Sequence, residues 1–227
     1  MPNRAIQYTY DTTQGVQRSS NKDGILIHSR GNDYCVFAVL DGVSSEPQAK
    51  FGVNIAIRCF RRYADEFVTH NGIDLSGLVT KANEAILASR YKGPYTTCSI
   101  VAIPYDKAKS VQILSVGDTR VYAITKQYIE QLTIDDSESG HIVTKYLGKD
   151  GLVLNSTIEY MSAEDQYQIL IATDGFYPMF EKNLVMFHKI FNFSLLRNVQ
   201  RRLRKIVRGN NSDDASYVLV RVGYVQD

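Results

Sequence analysis

The chain of 227 residues reads as an α+β layered domain in which antiparallel sheets are covered by helices. Three observations point there. Short apolar runs rich in Tyr, Val and Ile recur at strand length, amphipathic stretches carry helical spacing, and the two kinds do not alternate as a parallel βαβ series would.

Taken in order, strands are predicted at residues 5–10, 25–29 and 34–40. The 48–68 stretch follows, with Val53, Ala56, Ile57, Phe60, Tyr63 and Phe67 at the i, i+3, i+4, i+7 spacing of one helical stripe. Leu78, Val79, Ala82 and Ile86 repeat that spacing in 75–90. Strands resume at 96–103, 110–116, 120–124 and 169–173. Beyond Gly175 the pattern is helical again: Leu196, Val199, Leu203, Ile206 and Val207 line one face until Gly209-Asn210-Asn211 stops them. A last strand is expected at 215–222. No linker, repeat or low-complexity segment interrupts the chain, so 1–227 is expected to be one domain.

Composition excludes little. A hydrophobic fraction of 44%, 22% charged residues and a net charge of +2 are ordinary for a globular protein and single out no partner. Cys35, Cys59 and Cys98 are odd in number and lie in apolar segments, which fits reduced core thiols. The N-terminus has no apolar signal region, and no 18-residue uncharged apolar run occurs, so a cytoplasmic location is expected. The basic face Arg197, Arg201, Arg202, Arg204, Lys205 and Arg208 reads as a solvated outer helix face, with no nucleic acid and no membrane implied.

Chemistry enters at the strand ends. The apolar run ending in Leu40 delivers Asp41-Gly42, and 169–173 delivers Asp174-Gly175. An ionised carboxylate is expensive to desolvate unless a cation compensates, and Asp23 and Asp213-Asp214 also stand at element ends. A divalent metal centre is the leading expectation, since hard cations take oxygen ligands.

Read in sequence, Arg18-Ser19-Ser20-Asn21-Lys22-Asp23, Asp41-Gly42-Val43-Ser44-Ser45, Tyr95-Thr96-Thr97, Val116-Gly117-Asp118-Thr119-Arg120, Gln131-Leu132-Thr133-Ile134-Asp135, Thr144-Lys145-Tyr146-Leu147-Gly148, Thr173-Asp174-Gly175 and Asp213-Asp214-Ala215-Ser216 resemble an ordered motif series. It is that of the PP2C-type (PPM) metal-dependent serine/threonine protein phosphatases, here in a compact bacterial form. Each motif is weak alone; eight in order are specific.

The resemblance implies a four-layer αββα sandwich, two central antiparallel sheets flanked by helix pairs, with two Mn²⁺ or Mg²⁺ ions at one end. It implies that Asp41 bridges both ions and that the Gly42 carbonyl completes a coordination shell. Asp174 and Asp213 match the carboxylates of one metal, Asp23 the acid near the other, and Arg18 the residue that grips the substrate phosphate. Asp118 matches a ligand of a third, weaker metal, but Pro178 stands where a further acid of that site would fall. Its alternative role is to brace its loop through Arg120.

Three departures stand out. Lys22 replaces the usual Glu or Gln and is expected to put a cation beside the site. Val43 replaces the histidine with which some members protonate the leaving oxygen. Only ten residues separate Leu132-Thr133 from Thr144, where the family normally has a long mobile flap, so a short connection and an open site are expected. Asn21 is read as a turn residue and Thr96-Thr97 as structural. The expected activity is hydrolysis of phosphoserine or phosphothreonine on a phosphorylated protein substrate, opposite a cognate serine/threonine kinase. The alternatives are a catalytically weak PP2C-like binding module and a partner-specific phosphatase of a sigma-factor pathway.

Overall fold

A computed structural model describes residues 4–223 except 32 and 139–141. In chain order the elements are β1 (Ile6–Thr13), β2 (Gly24–Arg30), β3 (Tyr34–Gly42), α1 (Ala49–Tyr63), β4 (Val68–Thr69), β5 (Gly72–Ile73), α2 (Leu75–Leu87), β6 (Thr96–Pro104), β7 (Val111–Val116), β8 (Arg120–Ile124) and β9 (Ile129–Gln131). There follow β10 (Ser137–Glu138), β11 (Ile142–Val143), β12 (Ile158–Tyr160), β13 (Tyr167–Ala172), α3 (Tyr177–Glu181), α4 (Leu184–Phe191), α5 (Leu196–Val207) and β14 (Ala215–Val222).

Two five-stranded sheets form the centre, ordered β1-β14-β13-β8-β9 and β12-β7-β6-β3-β2. Every pairing is antiparallel. The period-two side-chain alternation of β3 shows how the layers assemble. Cys35, Phe37 and Val39 enter the core shared with Val121, Ile169, Ile171, Val218 and Val220 of the other sheet. Tyr34, Val36, Ala38 and Leu40 face the opposite way, onto Val53, Ala56 and Phe60 of α1 and Leu78, Val79 and Ala82 of α2. On the far side, Leu170, Ala172, Tyr217 and Leu219 pack against Phe180, Phe187, Phe191, Val199 and Leu203 from α3, α4 and α5. The result is the αββα sandwich, and it explains why β3 and β13 read as unbroken apolar runs: both of their faces are covered.

The helical stripe predicted across 48–68 divides. α1 ends at Tyr63 and Phe67 belongs to a 3₁₀ turn, Ala64–Phe67, whose Asp65 carboxylate holds the Tyr34 hydroxyl at 2.7 Å and His28 Nε2 at 2.9 Å. α2 starts where Asp74 Oδ1 accepts from the Gly77 amide at 2.9 Å, a side-chain N-cap. The short strands β9 and β12 carry no pattern of their own, being three residues each and exposed or half-buried.

Phe37 is fully buried between the sheets and meets Tyr8 edge-on at 5.4 Å. Phe37→Ala is expected to lower the unfolding free energy by about 3–5 kcal/mol, through lost transfer energy and a cavity the two sheets cannot close. Urea unfolding measures it as a lower midpoint at unchanged slope.

Candidate active site

Antiparallel pairing places the end of one strand beside the start of the next, and this gathers the acidic residues. Asp41 lies at the end of β3 with Asp23 just before the neighbouring β2. Asp118 sits in the β7–β8 turn, Asp174 two residues beyond β13, and Asp213 and Asp214 just before β14. All are thus at one end of the two sheets. Gly117 makes the turn before Asp118 with φ +101°, a conformation that favours glycine. Gly175 lets the loop after Asp174 close on β14: a Cβ there would come within 2.0 Å of the Asp214 carbonyl oxygen.

Electrostatics follow from that crowding. Burial, then the charges of Asp23, Asp174, Asp118 and Asp213, hold the Asp41 carboxyl well above the usual range. Burial does the same to Asp23, which is 3% exposed, with Asp214 and Asp174 adding to it. Asp174 is raised by burial and by Asp213, although a hydrogen bond with Asp41 partly offsets this. Asp118 is pushed up to about 6, first by burial and then by Asp174. Asp213 differs. Burial would raise it, yet the Arg18 guanidinium and the Asp214 amide hold it below the usual range.

Arg18 is engaged with Asp213 through two parallel contacts, Nε to Oδ1 at 2.6 Å and Nη2 to Oδ2. Asp23 Oδ2 accepts from the Thr173 hydroxyl at 3.2 Å, while Asp23 Oδ1 and Asp174 Oδ1 are buried without any partner. Among the described residues, no three acidic, histidine or cysteine side chains converge on one point as a ready cage for an ion. The turn of Asp213 toward Arg18 is consistent with that spread. The donors are nonetheless suited to a hard divalent cation: carboxylate oxygens, two of them orphaned, held where their charges repel one another and a cation would relieve them. A cleft of about 450 Å³ opens over Asp41, Asp118 and Asp174, walled by Ser44, Tyr95 and Tyr146 and bordered by Ile142 and Val143 of the β10–β11 hairpin. The expected short connection is therefore a two-stranded hairpin beside the cleft; its residues 139–141, including His141, lie outside the described residues.

The Lys22 ammonium stands beside the cleft, where its Nζ donates to the Ser44 and Glu46 carbonyls, both at 2.9 Å, and fastens the loop after Asp41. One expectation is corrected. Arg120 does not brace Asp118: it forks onto Asp135, reaches Glu181 at 2.6 Å and stacks 3.9 Å over the Tyr177 ring. Asn21 is a turn residue as read, its Oδ1 accepting from the Asp23 amide at 2.9 Å.

Three further residues support the site: Asp214, marked in the sequence as an acid at an element end, Thr96, read there as structural, and Lys50, which the reading did not single out. Asp214, 3% exposed, accepts from the Gly15 amide at 2.9 Å and the Lys22 amide at 2.7 Å, pinning the loop that carries Arg18. Lys50 Nζ donates to the Asp23 carbonyl at 2.5 Å. Thr96, directly opposite Gly42, donates to the Asp41 carbonyl at 2.8 Å. For Asp214 the signal was its place in the Asp213-Asp214 pair; a lysine at the second position of α1 carried none.

A sandwich of this kind, with clustered carboxylates and an arginine at one end of its sheets, has the architecture of a metal-dependent phosphatase. The Protein phosphatase 2C family pattern matches residues 14–208, and the chain belongs to that family of protein serine/threonine phosphatases. No curated protein sequence matches it. Among solved structures, a bacterial serine phosphatase superposes with a TM-score of 0.83 at 18% identity, over 96% of this chain and 98% of that one. RsbX in complex with magnesium gives 0.71 at 18% identity over 96% and 95%, and the catalytic domain of PstP with two manganese ions gives 0.71 at 17% over 96% and 99%. Those likenesses are of fold.

The raised Asp118 makes stability depend on pH in the metal-free protein. Its folded pKa of about 6 exceeds the ordinary aspartate value of 3.8, so its protonation favours the folded state below about 4 and that contribution is lost as pH rises through about 6. In EDTA, thermal melts across that window should fall more steeply for the wild type than for Asp118→Asn.

Proposed function

We propose that the protein removes phosphate from phosphoserine or phosphothreonine of a protein substrate directly, without a covalent phosphoenzyme, at a centre holding two Mn²⁺ or Mg²⁺ ions. The observation that carries this reading is the pair of buried, partnerless oxygens, Asp23 Oδ1 and Asp174 Oδ1, among carboxyls driven above their usual pKa by burial and then by neighbouring carboxylates. In this reading Asp41, Asp174, Asp213 and Asp23, with the Gly42 carbonyl, would hold the two ions, Asp41 serving both, Asp174 and Asp213 one and Asp23 the other. Asp118 is placed for a third ion, with Pro178 leaving that site one acid short. When bound, the ions supply Lewis-acid polarisation and a water of lowered pKa.

The chain's own groups do the rest. Arg18 changes partner, its fork passing from the Asp213 carboxylate to two phosphoryl oxygens, a match of planar donors to paired acceptors. Lys22 holds the Ser44–Glu46 loop at the cleft wall. With Val43 in place of an acid, solvent protonates the leaving serine or threonine oxygen. A phosphorylated protein substrate implies a serine/threonine kinase that made it. A cytoplasmic setting fits three buried free thiols, and among the described residues no helix is long and apolar enough to cross a membrane.

Turnover of p-nitrophenyl phosphate and of a phosphothreonine peptide, with Mn²⁺ and with EDTA, tests the reading. Activity is expected only with metal, and none from Asp41→Asn or Asp174→Asn, both of which should melt in EDTA no lower than the wild type because each removes a repelling charge. Full turnover in EDTA would discard the two-ion centre. Arg18→Ala is expected to lower kcat/KM by one to two decades, about 1.5–3 kcal/mol, mainly through KM, with Mn²⁺ affinity little changed. Steady-state kinetics alongside a metal titration separates the two effects.

A further inference from the structure

A second concavity lies away from the carboxylates, between α4 and α5, with a volume of about 1410 Å³ against about 450 Å³ for the catalytic cleft. Its two walls differ. On the α4 side Leu184, Met186 and Phe193 are 41%, 39% and 41% exposed over a floor made by buried Ile190. On the other side α5 turns its apolar stripe, Val199, Leu203 and Val207, into the core and presents Arg201, Arg202 and Lys205 outward. Lys182 and Lys189 complete the rim. Five cations thus line one groove of a chain whose net charge is +2, and among the described residues none of the five is in an ion pair. Glu181, the acid in the lining, already accepts from Arg120 and the Tyr122 hydroxyl, both at 2.6 Å. Exposed apolar surface rimmed by unpaired charge of one sign marks a recognition surface.

We infer that this groove docks an acidic, apolar-bearing segment of the phosphoprotein substrate, as a site distinct from the one that takes the phosphate. Charge complementarity names the occupant: Glu and Asp against the α5 wall and the rim, aliphatic side chains against the α4 wall. The groove also communicates with the chemistry. α3 begins three residues after Asp174 and ends at Glu181, and the Arg120 that Glu181 holds lies two residues from Asp118. In this inference a single substrate chain lies in the groove while its phosphorylated residue enters the cleft. A membrane is the poorer match, because the apolar stripe of α5 faces inward instead of projecting toward lipid. Single-stranded nucleic acid is poorer too, because bases need a series of aromatic platforms and Phe193 is the aromatic side chain in the described lining.

The purpose assigned to the groove rests on the phosphatase reading; its binding does not, and the experiment keeps the two apart. The probe is a fluorescein-labelled amphipathic peptide carrying Glu on one face and Leu on the other, read by anisotropy against the full chain. Binding is expected for the wild type, weakened by added salt, and weakened at least about tenfold by Arg201→Glu/Arg202→Glu/Lys205→Glu. Leu184→Ser/Met186→Ser should weaken it without changing the salt dependence. Both variants alter exposed residues and should keep the wild-type rate on p-nitrophenyl phosphate. A phosphothreonine peptide extended by the acidic segment should show a raised kcat/KM over the short peptide in the wild type alone. Equal peptide binding by wild type and charge-reversal variant, or binding of phosphatidylglycerol vesicles with no binding of the peptide, would overturn the inference. Absence of turnover with intact peptide binding would count against the phosphatase reading alone.

Discussion

Burial of a carboxylate cluster at one end of the sandwich, with the mutual repulsion that goes with it, is the constraint around which the rest is arranged. Asp23, Asp41, Asp118 and Asp174 are all held at raised pKa, with burial as the largest cause in each case. Such a cluster works against folding unless the scaffold is rigid enough to hold it. Here the scaffold is two sheets with a fully buried shared core, so the strand ends have little freedom to splay.

The loops that carry the site are secured by groups outside the repelling set. Asp214 takes two backbone amides, Lys22 takes two backbone carbonyls, and Lys50 takes a third. These contacts act on main chain, leaving one carboxylate oxygen each of Asp23 and Asp174, Oδ1 in both, without a partner. Arg18 joins both sets, since it neutralises Asp213 from a loop that Asp214 pins. Lys22, where Glu or Gln is usual, thus both anchors the loop and keeps a cation at the cleft wall.

The helical layers are unequal in what they offer. α1 and α2 cover one sheet with their apolar faces turned inward, whereas α4 and α5 leave a wide basic and apolar groove between them. α3, only five residues long, runs from just beyond Asp174 to the edge of that groove. In the reading proposed above, the cleft takes the phosphate and the groove at the other end of this short helix takes the rest of the substrate.

Much of this was legible in the chain. Unbroken apolar runs at 34–40 and 169–173 mark strands covered on both faces, and the last strand was read at its observed bounds, Ala215–Val222, because β propensity and burial agree there. The acidic positions Asp23, Asp41, Asp118, Asp174 and Asp213 were legible too, since each stands at a strand end or turn where sequence pattern is sharp. Side-chain direction was not. Whether Lys22 faces the site or a loop carbonyl, whether Arg120 meets Asp118 or Asp135, and that Arg18 closes on Asp213 depend on partners up to 195 residues away in the chain. The groove was equally hidden, because a basic helix face looks the same in sequence whether it borders open solvent or another helix. Local patterning determines which faces are buried and where strands end; only tertiary packing decides which charges meet.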